Sequence, residues 1–361
     1  MAGEALKLSV YFGERDRSGG RLLADVVLDL FARHRVRESL LLRGMEGFGI
    51  KHRLLSDRTL TLSEDLPMLA VALDVPARIG AVAEQVRAVS RHGLITLERA
   101  RLLNAEPDGD AGEGDGGQAV KLTIHLGRHG RAGGAPAYQA AVECLHGHGL
   151  AGAVVQLGLD GTAGGVRRRA GLLARNAAVP ITITSVGERS ALARALPELA
   201  SMLERPTMSL ERVELCKRDG VLLVAPEPPP AEVAGAAYWQ KLVVYAGERS
   251  RYGRQPLHDA LVRRLRRAGA AGATALRGLW GFQGERAPHG ERFWSLARDV
   301  PVLVVLLDTP ANMRRWFAIV DELTAQSGLV TSELVPALRA AGPRVEHGGL
   351  ELASPHGRPP A

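Results

Sequence analysis

The stretch "LLLRGMEGFG" (40–49) is answered far downstream by "TALRGLWGFQG" (274–284). Arg43, Gly44, Gly47 and Phe48 correspond to Arg277, Gly278, Gly281 and Phe282, each pair 277 − 43 = 234 positions apart. A motif repeated at one offset points to a repeated domain. The flanks keep that offset. "KLSVYFGERDRSGG" from Lys7 matches "KLVVYAGERSRYGR" from Lys241, and "DLPMLAVALDVP" (65–76) matches "DVPVLVVLLDTP" (299–310). "HGLITLE" ends at Glu98 and "SGLVTSE" at Glu333, one residue further out. A third copy lies between them: "KLTIHLGRHGRAGG" from Lys121, "LGLDG" (157–161), "AVPITI" (178–183) and "SLERVEL" (209–215). The chain thus reads as three units of about 100 residues, an ordinary domain size.

Each unit reads strand, helix, strand, strand, helix, strand. In the first, Leu8, Val10 and Phe12 alternate with Lys7, Ser9 and Tyr11, as in a strand. "RLLADVVLDLFARHR" puts Leu23, Val26, Val27, Leu30 and Phe31 on one helical stripe. Pro136 and Pro256 stand where a first helical turn accepts proline. "ESLLLRG" is the second strand, followed by an excursion from Gly47 to about Ser63; "LPMLAVALD" is the third strand. "ARIGAVAEQVRAVSRHG" is a helix closed by Gly93, before a fourth strand, "LITLERARLL". This order predicts an α+β class of ferredoxin-like βαββαβ units. In "VPVLVVLLD" both alternating sets are apolar, so both sheet faces are covered. Helices cover one; a neighbouring sheet is the simplest cover for the other. The expected architecture is an intramolecular pseudo-trimer, monomeric as a chain. The boundaries are 5–104, a Gly/Asp-rich linker at 105–118, 119–224, a Pro-rich linker at 225–237, 238–339 and a disordered tail at 340–361.

Composition narrows the function classes. No apolar run is long enough to span a bilayer, and "MAGEALKLSV" lacks the core of a signal peptide. With two cysteines, a disulfide framework is excluded, and a cytoplasmic location is expected. The net charge of +7 could attract phosphates, but aromatics at 4% are too few for base-stacking platforms, which disfavours nucleic acid.

These motifs in order resemble the PII-like proteins of "domain of unknown function 190", whose pattern is similar to "KLxxYxGE", "RGxxGFG", "DLPxxxxxxD" and "GLxTxE". Copies one and three carry nearly all of it; copy two keeps the skeleton. The resemblance covers most of the chain. It implies the ferredoxin-like PII fold, trimeric association, small anions or nucleotides bound in clefts between units, and signalling through the loop between strands two and three. It also implies companionship with ion-transport systems. "SRHGLITLE" is too short and lysine-free to be the phosphate loop of PII proteins proper, so ATP is not carried over and no cofactor is named.

Topology predicts that Glu14, Arg43, Phe48, Asp65 and Thr96 converge at one sheet edge, and likewise Glu248, Arg277, Phe282, Asp299 and Thr331. One reading is an ion pair bracing the edge, with Phe48 plugging the core. The other is an arginine fork holding an anion, with Gly44, Gly47, Gly278 and Gly281 letting backbone amides approach it. Asp74 and Asp308 read as helix caps. Copy two has Arg128, Leu157, Thr162 and Ala178 at the motif positions, so it is a scaffold or lends "VRRR" (166–169) to a neighbour. Cys144, His146 and His148 cannot all share a helical face, so no metal site is expected. No Ser/His/Asp set or carboxylate pair recurs. The expectation is a non-enzymatic sensor of a small anionic metabolite or nucleotide, with a protein partner, such as a membrane transporter, at loops 47–63 and 281–297. The alternatives are a structural adaptor without ligand and a phosphoester- or nucleotide-processing enzyme.

Overall fold

The computed structural model describes residues 3–49, 53–56, 65–91, 93–103, 119–169, 179–226, 238–290, 299–335, 337–342 and 345–347. The first repeat is β1 (Gly3–Gly13), α1 (Leu23–Arg33), β2 (Glu38–Phe48), β3 (Pro67–Asp74), α2 (Pro76–Val89) and β4 (Gly93–Leu103). The second is β5 (Ala119–Gly127), α3 (Ala137–Gly147), β6 (Gly152–Leu157), β7 (Asp160–Ala163), β8 (Val166–Arg169), β9 (Pro180–Glu188), α4 (Arg189–Met202), β10 (Thr207–Arg212) and β11 (Glu214–Arg218). The third is β12 (Trp239–Gly247), α5 (Leu257–Ala268), β13 (Gly272–Arg277), β14 (Trp280–Gln283), β15 (Pro301–Asp308), α6 (Pro310–Leu323) and β16 (Leu329–Val335), extended by the hairpin β17 (Ala337–Gly342) and β18 (Val345–His347).

Within each repeat the antiparallel strand order is fourth, first, third, second. In the first, Leu8 of β1 faces Leu97 of β4 and Ala72 of β3, while Leu41 of β2 faces Ala70 of β3. The other two repeats use the same order. The two helices of each repeat pack on one face, where α1 buries Leu23, Val27, Leu30 and Phe31. The other faces meet in a shared core: Leu40, Leu42 and Leu69 of the first repeat, Val154 and Val186 of the second, and Tyr245, Leu276 and Leu303 of the third. Burial of both faces of strand three is therefore satisfied by the other repeats.

Strand pairing closes the three units in both directions around the chain. The end of β2 adds to β13, β14 adds to β6, and β7 adds to β2. On the other edges β10 pairs with β4, β11 with β16, and β17 with β4.

Several expectations shift. The second strand does not stop at Gly44 but continues to Phe48, so the excursion starts after the motif; only residues 53–56 of its central part are described. Gly93 does not cap α2, which ends at Val89; it begins β4 at φ +110, where a Cβ would lie 2.2 Å from the Tyr11 carbonyl oxygen. Pro136 and Pro256 are N-caps rather than first-turn residues. Ala340 and Ala341, assigned to a disordered tail, pair with β4, and residues 348–361 of that tail lie outside the described residues. Linker 105–118 and most of 225–237 lie outside the described residues.

Candidate functional site

Alternation and turn geometry bring part of the expected set together. After β1 the chain turns so that the Glu14 amide donates to the Leu66 carbonyl at 2.8 Å. The Arg15 amide donates to Asp65 Oδ1 at 2.8 Å, and the Gly13 amide to Asp16 Oδ2 at 2.8 Å. Arg43 reaches across to Glu14 at 3.0 Å, and Arg277 to Glu248 in the third repeat. Both pairs are solvent-exposed. Asp299 accepts more weakly from the Arg249 amide, at 3.4 Å. Of the two readings of the edge, the bracing ion pair is the one the geometry draws.

Thr96 and Thr331 do not join them. β4 begins at Gly93, so Thr96 already lies opposite Ser9, well inside the sheet. Its hydroxyl donates to Glu98 Oε1 at 2.7 Å in the interior, and Thr331 is fully buried at the same place in the third repeat.

The motif glycines face neighbouring strands. A Cβ on Gly44 would lie 2.6 Å from Pro67 Cγ, and one on Gly47 2.6 Å from the Ala273 carbonyl oxygen. On Gly278 it would lie 2.7 Å from Val154, and on Gly281 2.1 Å from the Ala153 carbonyl oxygen. Phe48 plugs a core, but the third repeat's rather than its own, and Phe282 plugs the second repeat's. The repeated Arg-Gly-x-x-Gly-Phe is thus a clasp between repeats. The middle repeat keeps the clasp in different chemistry. Gly161 packs with a would-be Cβ 2.0 Å from the Ser39 carbonyl oxygen, and Thr162 Oγ1 donates to the Val36 carbonyl at 2.7 Å. Arg167 then bridges Asp160 at 2.6 Å and Asp29 on helix α1 of the first repeat. Asp74 and Asp308 sit one residue before their N-caps; Asp74 takes the Arg37 amide at 2.7 Å, and Asp308 takes the Ala271 amide at 2.9 Å and the indole N–H of Trp316 in α6 at 2.7 Å.

At the junction of the first and third repeats, below the Phe48 clasp, lies a cavity of about 190 Å³. Its polar lining is Asp16, Arg53, Asp65, Thr274 and Tyr11, against apolar walls that include Phe12, Phe48 and Leu307. Both carboxylates are engaged by backbone amides, as above. Arg43 does not line it. Burial pushes the Tyr11 phenol well above its ordinary value, so it stays a neutral donor. The repeat-related junctions are built differently. Gly272, which opens this cavity, corresponds to Gly152 and to Glu38. A Cβ on Gly152 would meet Leu329 at 2.6 Å, whereas the matching Leu94 stands back at 3.3 Å from a Cβ on Gly272, and Glu38 accepts a 2.8 Å hydrogen bond from Thr207.

Sequence reasoning missed the centre of the molecule. Lys7, Lys121 and Lys241, the first residues of the three aligned copies, alternate with Glu98, Glu211 and Glu333 in a closed ring. Lys7 bonds Glu98 at 2.8 Å and Glu211; Lys121 bonds Glu211 at 3.0 Å and Glu333 at 2.6 Å; Lys241 bonds Glu333 at 3.3 Å and Glu98 at 2.6 Å. All six are buried or nearly so, and each lysine joins its own repeat to another. Burial opposes the charged forms, but the lysines outweigh it and hold Glu98 well below the carboxylate range, and Glu211 below it. Burial also opposes the Lys7 ammonium, and its three carboxylate neighbours raise it well above the usual range. His125 beside this ring is pushed down to about 4 by burial and by Lys7. The signal was present as a charged residue at the same place in all three copies.

No helix among the described residues is long and apolar enough to cross a membrane. A family model described as uncharacterized ACR, DUF190, matches residues 5–102, 119–215 and 239–337.

Proposed function

The chain belongs to the DUF190 family, three times over, and on that premise we propose that it is a PII-like regulatory protein rather than an enzyme. Its units are ferredoxin-like, the four-one-three-two strand order supporting this, and they form a pseudo-trimer within one polypeptide. It senses a small ligand in the cleft between the first and third repeats. The observation that carries the reading is the difference between junctions: at one a cavity of about 190 Å³, with Leu94 3.3 Å from a would-be Cβ on Gly272; at the second Leu329 only 2.6 Å from one on Gly152; and at the third a Glu38–Thr207 hydrogen bond.

The lining favours a ligand with an anionic group and a compact apolar body. Arg53 offers a permanently charged donor fork. Asp16 and Asp65 each accept a hydrogen bond from a backbone amide. A cavity of roughly 150 Å³ holds a benzene ring, so this one suits a small metabolite, or the base of a nucleotide whose phosphates lie outside. Arg53 and Leu55 belong to the excursion between strands two and three, so a ligand here touches the loop through which a partner, such as a transporter, would be addressed.

The test is a thermal-shift and calorimetric series with phosphate, bicarbonate, 2-oxo acids and nucleotides on the full chain. One ligand should raise the melting temperature, and both Arg53→Ala and Gly272→Leu should remove the rise. A response that survives both substitutions contradicts this site. Silence across the series favours the second reading, a structural adaptor. That reading has its own observation: Val221, Leu222 and Leu223, consecutive after β11, are each at least half exposed.

A further inference from the structure

We propose that Cys144, His148 and Glu198 form a binding site for one divalent transition-metal ion of the zinc type, on the outer helical layer of the second repeat. The site is independent of the cleft and of the ligand reading given above. Cys144 and His148 lie one helical turn apart at the C-terminal end of α3, His148 being its C-cap. His146, between them, turns away and packs edge-on against Phe282 at 4.9 Å. Its place is taken by Glu198 of α4. One thiol, one imidazole nitrogen and one carboxylate oxygen then all lie within 4.8 Å of one another, with His148 Nε2 and Glu198 Oε2 2.9 Å apart.

The separations suit an ion. Metal–sulfur and metal–nitrogen bonds of about 2.3 and 2.0 Å in a tetrahedron place ligand atoms roughly 3.3–3.7 Å from one another. Small side-chain rotations therefore bring the three donors onto a common centre. A thiolate, an imidazole and a carboxylate select zinc or cobalt over magnesium or calcium, which prefer all-oxygen shells. The thiol proton leaves as the metal–sulfur bond forms. The C-terminal turn of α3 adds the negative end of the helix dipole, which favours a cation. Glu198 is about half exposed and His148 about a quarter, so solvent has access and a fourth position remains for water.

The repeats provide an internal comparison. Strand register fixes the equivalences: Lys7 faces Leu73 as Lys121 faces Val186, giving offsets of 114 and 113. Leu30, His34 and Gln85 are therefore the first-repeat counterparts of Cys144, His148 and Glu198. There His34 and Gln85 share a 2.8 Å hydrogen bond between the helices, which a bridging role alone requires. The third repeat has Arg264, Ala268 and Ile319 at these positions. Only the second repeat combines the bridging histidine with a thiol and a carboxylate.

Cobalt(II) titration of the full chain, reduced and metal-free, tests this. Near-ultraviolet thiolate-to-cobalt charge transfer and the intense visible bands of four-coordinate cobalt should saturate at one equivalent and be displaced by zinc. Cys216 is the only other cysteine. Cys144→Ser should abolish the charge-transfer band and Cys216→Ser should leave it intact. His148→Ala and Glu198→Gln should each weaken binding about tenfold or more, with unchanged far-ultraviolet dichroism as the control for folding. No charge-transfer band, or one that survives Cys144→Ser, overturns the proposal. Unchanged affinity in both His148→Ala and Glu198→Gln also overturns it, since the cysteine would then be binding cobalt without them.

Discussion

Five lysines occur among 46 basic residues, and three of them stand in the central ring. A compact ammonium on a flexible stem can meet two carboxylates between packed sheets, where a planar guanidinium would need a wider gap. Removing one partner from such a buried network leaves an uncompensated charge, at a cost of about 3–5 kcal/mol. Glu98→Gln, which takes one of two carboxylate partners from each of Lys7 and Lys241 and leaves the ring with an excess positive charge, should therefore lower the denaturation midpoint sharply, while changes to the exposed Arg43–Glu14 pair should cost about 1 kcal/mol or less. Acid sensitivity has a defined sign. Glu98 and Glu211 are held low in the folded protein, whereas in the unfolded chain they titrate near about 4.3. Their stabilisation is complete above that value and is lost as pH falls through the folded values. Stability followed by denaturant titration should hold from neutrality to about pH 5 and decline below about 4.3. Glu98→Gln should flatten that decline; identical acid profiles for the two proteins would contradict the ring's role.

At the scale of elements, the clasp joins one repeat's second strand to the next repeat's core. Phe282 is almost fully buried among second-repeat residues, so Phe282→Ala should cost about 3–5 kcal/mol. Gly47→Ala should cost about 1–3 kcal/mol, because its Cβ has the Ala273 backbone, not a movable side chain, in its way. Differential scanning calorimetry checks both, and wild-type melting by either variant would contradict the clasp. The element order and the presence of three repeats were legible because period-two and helical patterns are local and the motifs recur at one spacing. Four things were not. The motif glycines looked like a ligand cradle, because a sequence shows that backbone comes close but not to what. Lys7, Ser9 and Tyr11 showed only as the polar set of an alternating strand, since residues that meet them come from repeats more than 100 positions away. Thr96 was placed at the edge although it stands three residues into β4, opposite Ser9. Cys144 and His148 were grouped with His146 along one helix, when their neighbour in space is Glu198 on another.

For the whole molecule, the account rests on closure: three repeats share one charged ring, one central apolar core and cyclic strand pairing, so the cleft between the first and third exists only in the assembled chain. Separate units tethered by linkers would have neither ring nor cleft. Size-exclusion chromatography coupled to light and small-angle X-ray scattering distinguishes the two directly. Closure predicts a mass of 38.5 kDa with a radius of gyration of about 21 Å, the compact value for a chain of this length. A 38.5 kDa particle with a radius above about 30 Å, as expected for domains strung on flexible linkers, would contradict it.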